Sequence, residues 1–456
     1  MKQFSALQLS EPLQRALAEI EYLEMTPVQA ESLPAILLGR DVIAQAKTGS
    51  GKTAAFALAL LSALDPSAVS LQGLVLCPTR ELADQISREI RRLAAFIPNV
   101  KVLTLCGGVP VRVHLNSLAH APHIVVGTPG RILDVLKKDA LPLTAVRILV
   151  LDEADRMLEM GFVDDIREII DRTPPQRQTL LFAVTIPAPI RAFSRQFQRT
   201  PLEFAVANAA QDVPIEQTFF EASAEHKPAA LAALLLSYRP EAALVFCNTR
   251  DGVGEVTDAL SQRGISALSL HGDLDQRERE ERLVCFANHS CNVLIASDVA
   301  ARGLDIKELP MVINFDIATD ADTHMHRIGR TGRAGARGVA LSLCSAAEAM
   351  RIELIADQQG KPLRWHTVPP TPGDSWHAPF RTVIVDAGRQ DKLRPGDLLG
   401  ALTGDAKIPN EAVGKIDVFP TRTYVAIARE WHDRAVQRLR EGKIKGRSFR
   451  IRILGG

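Results

Sequence analysis

Short unbroken apolar runs recur through most of the chain, separated by longer stretches with helical patterning. Asp41-Val42-Ile43-Ala44, Leu74 to Cys77, Ile124 to Val126, Ile148 to Leu151 and Thr179 to Phe182 form a first set. Ala243 to Cys247, Ala267 to Leu270, Val293 to Ala296, Val312 to Phe315 and Val339 to Leu343 form a second. A strand buried on both faces reads as a continuous apolar segment, and strands alternating with helices build parallel sheets covered on both sides. The pattern therefore predicts two α/β domains in tandem.

Two stretches break the alternation. Residues 205–214 are polar and rich in small side chains, which suits a hinge. Thr367 to Phe380 carries Pro369, Pro370, Pro372, Pro379 and Gly373, a composition expected to form a semi-extended tether. The expected divisions are a first domain over 1–207, a second over 213–366, a linker over 367–380 and a tail module over 381–456. The tail pattern predicts strand (Thr382 to Val385), helix (Gly396 to Leu402), strand (Lys415 to Phe419), strand (Thr423 to Ala428), helix (Asp433 to Leu439) and strand (Phe449 to Ile453). That order is the split βαβ plan used by RNA-recognition modules.

Composition changes this picture little, except in the tail. With 456 residues and 46% hydrophobic content the chain has ample material for several buried cores. The six cysteines form no Cys-x-x-Cys pair and mostly sit in apolar runs, as reduced core thiols do. No amino-terminal leader pattern or membrane-length apolar run is present, so a soluble, cytoplasmic protein is expected. The net charge of +1 hides an asymmetry: from Arg381 onward there are 16 Lys and Arg against 9 Asp and Glu. A basic tail on a slightly acidic body points to a polyanionic partner.

Two motifs carry the chemistry. Residues 46–53 read Ala46-Lys47-Thr48-Gly49-Ser50-Gly51-Lys52-Thr53 and follow the first apolar run. Gly49 and Gly51 allow backbone N–H groups and a helix N-terminus to close around phosphates. Lys52 adds a point charge, and Thr53 Oγ is the right length to reach Mg2+. Gly-rich strand-to-helix turns also arise from packing alone, but here Asp152-Glu153-Ala154-Asp155 ends a second apolar run. Ligand groups in α/β sheets gather at such strand ends. Asp152 is expected to hold the metal and Glu153 to polarise the attacking water, whereas Asp155 either caps the next helix or bridges to another motif. The implied substrate is a nucleoside triphosphate with Mg2+.

Ten motifs in order make the chain resemble a DEAD-box RNA helicase over about residues 4 to 365. They are TPVQ at 26–29, AKTGSGKT, PTREL at 78–82, GG at 107–108, TPGR at 128–131, DEAD, VFCNT at 245–249, HGDLDQRER at 271–279, SDVAARGLDI at 297–306 and HRIGRTGR at 326–333. The resemblance implies two tandem RecA-like parallel-sheet domains followed by a small α+β RNA-recognition-like domain. It places Gln29 and Thr26 at the adenine edge, with Phe4 either stacking on the base or plugging the domain edge. It assigns Asp305 to the ribose and Arg330 and Arg333 to the arginine fingers of the second domain. RNA contacts fall to Thr79, Arg80, Gly108, Thr128 and Arg131 in the first domain and to Gln276, Arg279 and Arg302 in the second. Such contacts to phosphate and 2′-OH carry no base sequence information. In the family, closing the cleft completes the ATP site and bends the bound strand. The TPVQ and DEAD spellings fit an RNA enzyme better than a DNA translocase.

Two departures stand out. Ala183-Val184-Thr185 replaces the family's usual Ser-Ala-Thr and loses a hydroxyl expected to bond the acidic motif. Weakened duplex separation with retained ATP hydrolysis is the expected consequence, leaving an RNA clamp or assembly scaffold as the alternative function. Glu21 stands where the family often has glycine, with little expected effect.

In the tail, Phe449, Ile451 and Ile453 alternate with Arg450 and Arg452, and Lys443, Lys445 and Arg447 extend a basic patch. The third strand offers only Tyr424 for base stacking, so a basic surface reading folded RNA is expected. The stretches RPGDLLGALTGDA, GKIDVF and GKIKGRSFRIRIL resemble bacterial members whose tail recognises a hairpin of large-subunit ribosomal RNA. That resemblance implies 23S rRNA as the partner and ribosome assembly as the process.

Overall fold

A computed structural model describes residues 2–46, 49–205, 215–301, 309–332, 338–360, 362–371, 373, 375–405 and 407–454. The first sheet holds β1 (Val42–Gln45), β2 (Gly73–Leu76), β3 (Val102–Leu105), β4 (Ile124–Gly127), β5 (Ile148–Asp152), β6 (Gln178–Ala183) and β7 (Leu202–Ala205). All run parallel in the order β3-β4-β2-β5-β6-β1-β7. Apolar side chains leave both faces: Ile148 and Val150 enter one core, while Leu149 and Leu151 enter the other. Unbroken hydrophobic strands are the direct result of this two-sided burial.

The second sheet repeats the plan. Its strands are β8 (Glu216–Glu221), β9 (Ala243–Cys247), β10 (Ala267–Leu270), β11 (Val293–Ser297), β12 (Met311–Asn314), β13 (Val339–Cys344) and β14 (Trp365–His366). They are parallel, in the order β10-β11-β9-β12-β13-β8-β14. The tail forms an antiparallel sheet of β15 (Phe380–Val385), β16 (Val413–Val418), β17 (Thr423–Ala428) and β18 (Ile451–Ile453), ordered β16-β17-β15-β18. The helices Pro395–Gly400 and His432–Glu441 cover one face through Leu398, Ala435, Val436 and Leu439. These are the two parallel-sheet domains and the small α+β module that the hydrophobic pattern predicts.

The linker and the tail's other face depart from expectation. The expected semi-extended tether is fastened to the second domain: Trp376 bridges Ile265, and Ala378 N–H donates to Ser266 Oγ at 3.0 Å. Gly264 lies opposite at φ +68°, where a Cβ would come within 2.7 Å of Ser375 Cβ, so glycine is required twice over. Tyr424 and Ile384 pack on Val284 of the helix Gln276–Ala287. The Thr382 hydroxyl accepts from Asn288 Nδ2 at 2.9 Å and donates to Ser290 Oγ at 2.8 Å. Tyr424, only 1% exposed, is thus turned into the protein instead of offering a stacking face.

In β18, Ile453 is 40% exposed, so the expected apolar face is incomplete. Arg452 is engaged with Asp386 at 2.6 Å, so it adds less to the cationic patch than its alternation with isoleucine implies. Glu21 adopts φ +58° just after the helix Glu11–Glu19, the left-handed position that glycine fills without strain. The residue type the family favours there has a backbone cause. Among the described residues no helix is long and apolar enough to cross a membrane.

All six cysteines are free and buried. Burial pushes their thiols up, that of Cys106 to about 12, so they carry little thiolate.

Candidate nucleotide and RNA sites

Strand order sorts the motifs. The loops after β1, β5 and β6, which carry AKTGSGKT, DEAD and Ala183-Val184-Thr185, adjoin one another in the middle of the first sheet. The loops after β2, β3 and β4, which carry PTREL, GG and TPGR, gather at one edge. Parallel connections thus place two clusters side by side at the carboxyl ends of the strands, where α/β sheets hold ligands.

In the first cluster, Gly49 and Gly51 have φ +86° and +89°, and the helix Lys52–Ser62 starts at once. A Cβ on Gly51 would come within 2.5 Å of Gln29 Nε2, so the loop closes tightly on Gln29. That amide is well engaged: Oε1 accepts from Thr26 N at 2.8 Å, and Nε2 donates to Gly51 O at 2.9 Å. Phe4 is 3% exposed, with its ring stacked on Tyr22. Ala46 N–H donates to Ala183 O and so ties the loop's start to β6. Thr53, half-buried, stands in the first turn of the helix. Thr48 lies outside the described residues.

Lys52 Nζ sits 2.9 Å from Asp152 Oδ1 and 4.0 Å from Glu153 Oε1, all three side chains being buried. Burial works against the Lys52 charge, but the two carboxylates outweigh it and hold its proton affinity above the ordinary value. Burial, helped by the Glu153 charge, holds the Asp152 carboxyl above its ordinary value despite Lys52. Glu153 takes the left-handed conformation, φ 53° and ψ 51°, a strain of about 1–3 kcal/mol that sets the turn between β5 and the next helix.

Asp152 Oδ2 and Ser50 Oγ are buried with no hydrogen-bond partner among the described residues. Buried polar atoms left bare are rare in folded proteins and mark a place that a ligand completes. A carboxylate oxygen, two hydroxyls and a lysine at a helix N-terminus fit a nucleoside triphosphate with a hard divalent cation.

Asp155 resolves as a bridge. Its Oδ2 accepts from Val184 N at 2.9 Å and Thr185 N at 3.0 Å. The link between the acidic motif and the segment after β6 is therefore made by main-chain amides, which the change from serine to Ala183 leaves in place.

The second cluster is equally well defined. Gly108, at φ +73°, lies against the Arg80 guanidinium so closely that a Cβ would overlap it. Arg131 Nη1 reaches Val109 O at 2.7 Å and His114 Nδ1 at 2.8 Å. His114 escapes sequence reasoning because no motif includes it. It is 7% exposed, and burial, Arg131 and Arg80 all depress its proton affinity, so neutral Nδ1 accepts from Arg131. Thr79 Oγ1 accepts from Leu82 N at 3.3 Å and caps the helix Arg80–Leu93. Thr128 precedes the helix Pro129–Leu136 without a side-chain cap bond.

In the second domain, Gln276 opens the helix Gln276–Ala287, and Arg279 Nη2 donates to Ala300 O at 2.5 Å, joining that helix to the segment after β11. Arg330 is half-buried, one turn beyond Arg327. Arg327 itself is 1% exposed and holds the loop together. Its Nε and Nη2 meet the two Asp298 oxygens at 2.7 and 2.6 Å, and it also donates to Asn248 Oδ1 and Asp316 O, each at 2.6 Å. Arg302, Asp305 and Arg333 lie outside the described residues. In the tail, Lys443, Lys445, Arg447 and Arg450 are exposed around a turn in which Lys445 and Gly446 take φ +53° and +76°.

Two parallel-sheet domains in tandem along the chain, the first carrying a phosphate loop that meets an acidic strand end, define a RecA-like nucleotide-dependent enzyme. The helicase families described as DEAD/DEAH box helicase, helicase conserved C-terminal domain and DbpA RNA binding domain match residues 26–193, 226–335 and 382–453. The chain is 52% identical to the ATP-dependent RNA helicase DbpA of Escherichia coli over 456 residues, covering all of both chains. It is 42% identical to the DEAD-box ATP-dependent RNA helicase CshA of Geobacillus kaustophilus, over 76% of this chain and 74% of the relative. Among solved structures, Saccharomyces cerevisiae Dbp5 bound to RNA and ADP BeF3 aligns with a TM-score of 0.72 at 28% identity, over 81% of this chain and 96% of that one. Mss116p bound to ssRNA and AMP-PNP aligns at 0.73 and 26%, over 81% and 80%. The chain belongs to the DEAD-box family of ATP-dependent RNA helicases, with a tail of the DbpA RNA-binding type.

Proposed function

We propose that the chain uses ATP with Mg2+ to remodel short RNA duplexes on 23S rRNA during assembly of the large ribosomal subunit in the cytoplasm. The buried Lys52–Asp152 pair beside the bare Asp152 and Ser50 oxygens supports the use of ATP most directly, and the match of the tail to an RNA-binding family supports the RNA partner. Lys52 exchanges Asp152 for the outer phosphates, and Gly49, Gly51 and the helix N-terminus supply backbone donors. Thr53 and Asp152 would hold Mg2+, which would offset charge on the phosphates. Glu153 orients and polarises the attacking water. Thr26 and Gln29 line the adenine edge. Arg330 and Arg333 spread phosphoryl charge from the second domain, so hydrolysis waits on closure of the two domains.

RNA lies on Thr79, Arg80, Gly108, Thr128 and Arg131, then on Gln276, Arg279 and Arg302, while Lys443, Lys445, Arg447 and Arg450 anchor the tail on the ribosomal RNA. ATP turnover with total RNA, with large-subunit rRNA fragments and with no RNA tests the reading. Large-subunit fragments should activate best, and deletion of 367–456 should abolish that preference. Equal activation by every RNA contradicts it.

His114 is expected to tune the RNA grip through Arg131. Replacing it by Phe keeps the volume but removes the acceptor. The RNA concentration for half-maximal ATPase stimulation should rise about three- to tenfold, with turnover at saturating RNA nearly unchanged.

The alternative reading, an ATP-hydrolysing clamp with weak unwinding, rests on Ala183. The two amide bonds to Asp155 weigh against it. Ala183→Ser should therefore change unwinding per ATP by no more than about the tenfold worth of one hydrogen bond. Asp155→Ala, which removes the bridge, should cost more, and strand displacement measured beside ATPase separates the two.

A further inference from the structure

Between the helix Gln276–Ala287, the segment 261–268 and the start of the tail sheet lies a cavity of about 580 Å3, within the size range of small-ligand sites. It belongs to neither cluster described above. Glu278, Glu281, Arg282, His377, Arg381 and Arg429 supply its charged wall.

The charges are unevenly matched. Glu278 already accepts from Asp275 N at 3.0 Å, and Glu281 accepts from Arg277 Nε at 3.0 Å. Arg282 donates to Ser269 O at 2.6 Å and Arg429 Nε to Ala378 O at 3.1 Å, both neutral acceptors. Arg381 meets the exposed Asp433 at 3.9 Å, beyond hydrogen-bond range. Burial and the nearby Arg381 both press against the charge on Arg429. Two guanidiniums on one cavity wall, with their carboxylates elsewhere or distant, favour an anion between them. Ile265, Leu268 and Leu454 add an apolar floor.

We propose that this cavity binds one nucleotide, with Arg381 and Arg429 on its phosphate and its base on the apolar floor. The nucleotide is either free or the terminal unit of an RNA strand. Because the second domain and the tail both contribute walls, an occupant stiffens the joint between them.

The test is amide NMR of the full chain titrated with GMP, read at Gly264, Ser290 and His377 so that occupancy of the ATP site does not interfere. Saturable shifts at these three positions are expected. In Arg381→Gln/Arg429→Gln, binding should weaken at least about tenfold, while amides of β17 keep their wild-type positions and report an intact tail. A single Arg429→Gln variant serves if the double variant fails that control. A 5′-phosphorylated RNA trinucleotide binding more tightly than GMP identifies an RNA end as the source, and the reverse order identifies a free nucleotide. Unmoved amides, equal affinity in the variant, or inorganic phosphate binding as well as GMP would overturn the assignment.

Discussion

Replacing Lys52 by Met is expected to lower RNA-stimulated ATP turnover by about a thousandfold or more, the scale on which charge-stabilising groups act in phosphoryl transfer. The same change should make stability depend on pH more strongly than it does in the wild type. Lys52 is the cation beside two buried carboxylates, and Asp152 is already raised by burial despite it. Without Lys52 the Asp152 carboxyl rises further. An acid whose folded-state proton affinity exceeds its unfolded value costs stability when ionised, and that cost disappears as pH falls through the folded value. The difference in melting temperature between wild type and variant should therefore be larger at about pH 8 than at about pH 5. Thermal unfolding at the two pH values checks this, and an equal difference would show that the lysine is not the counter-charge.

The second large effect is expected at Arg327. Truncation to Ala leaves Asp298 and Asn248 facing an empty buried site and should cost the second domain about 3–5 kcal/mol. Lys is not expected to rescue it, because a single ammonium cannot reproduce the two parallel bonds to Asp298 or reach Asn248 and Asp316 together. Denaturant unfolding followed by a probe in the second domain reads the loss. A variant as stable as wild type would mean that the network forms only in part. Since Arg330 follows one turn later, the damage should reach ATP turnover even where the variant folds.

Central strands and their loops were legible because burial on both faces leaves a continuous apolar signal and fixes the motifs at strand ends. Strands β3, β7 and β14 were not, and these are edges of their sheets. Leu202–Ala205 is largely exposed, and Val102–Leu105 is buried only at its ends, so neither shows a continuous run. β8 was missed too: Glu216–Glu221 begins and ends in exposed glutamates.

Within the candidate sites, the residues that type and spacing nominate could be read, whereas the side chains that brace them could not. Arg327 was visible as part of a motif, but its partners Asp298 and Asn248 follow the ends of two different strands. His114 meets Arg131 across two helices. The docking of the tail was equally hidden, because Thr382, Ile384 and Tyr424 look like an ordinary strand face until Val284 and Asn288 are placed against them. Asp155 could be narrowed to two roles by sequence, and only the positions of two amide hydrogens chose between them.

In the proposed function, nucleotide-holding groups on the first domain and guanidiniums on the second act in one reaction. ATP turnover at saturating RNA by Arg330→Ala, measured beside its ATP affinity, tests it most directly. Turnover should fall by about a thousandfold while ATP binding, assigned in the proposal to Lys52 and the glycine loop, stays close to wild type. Turnover equal to wild type would contradict the account.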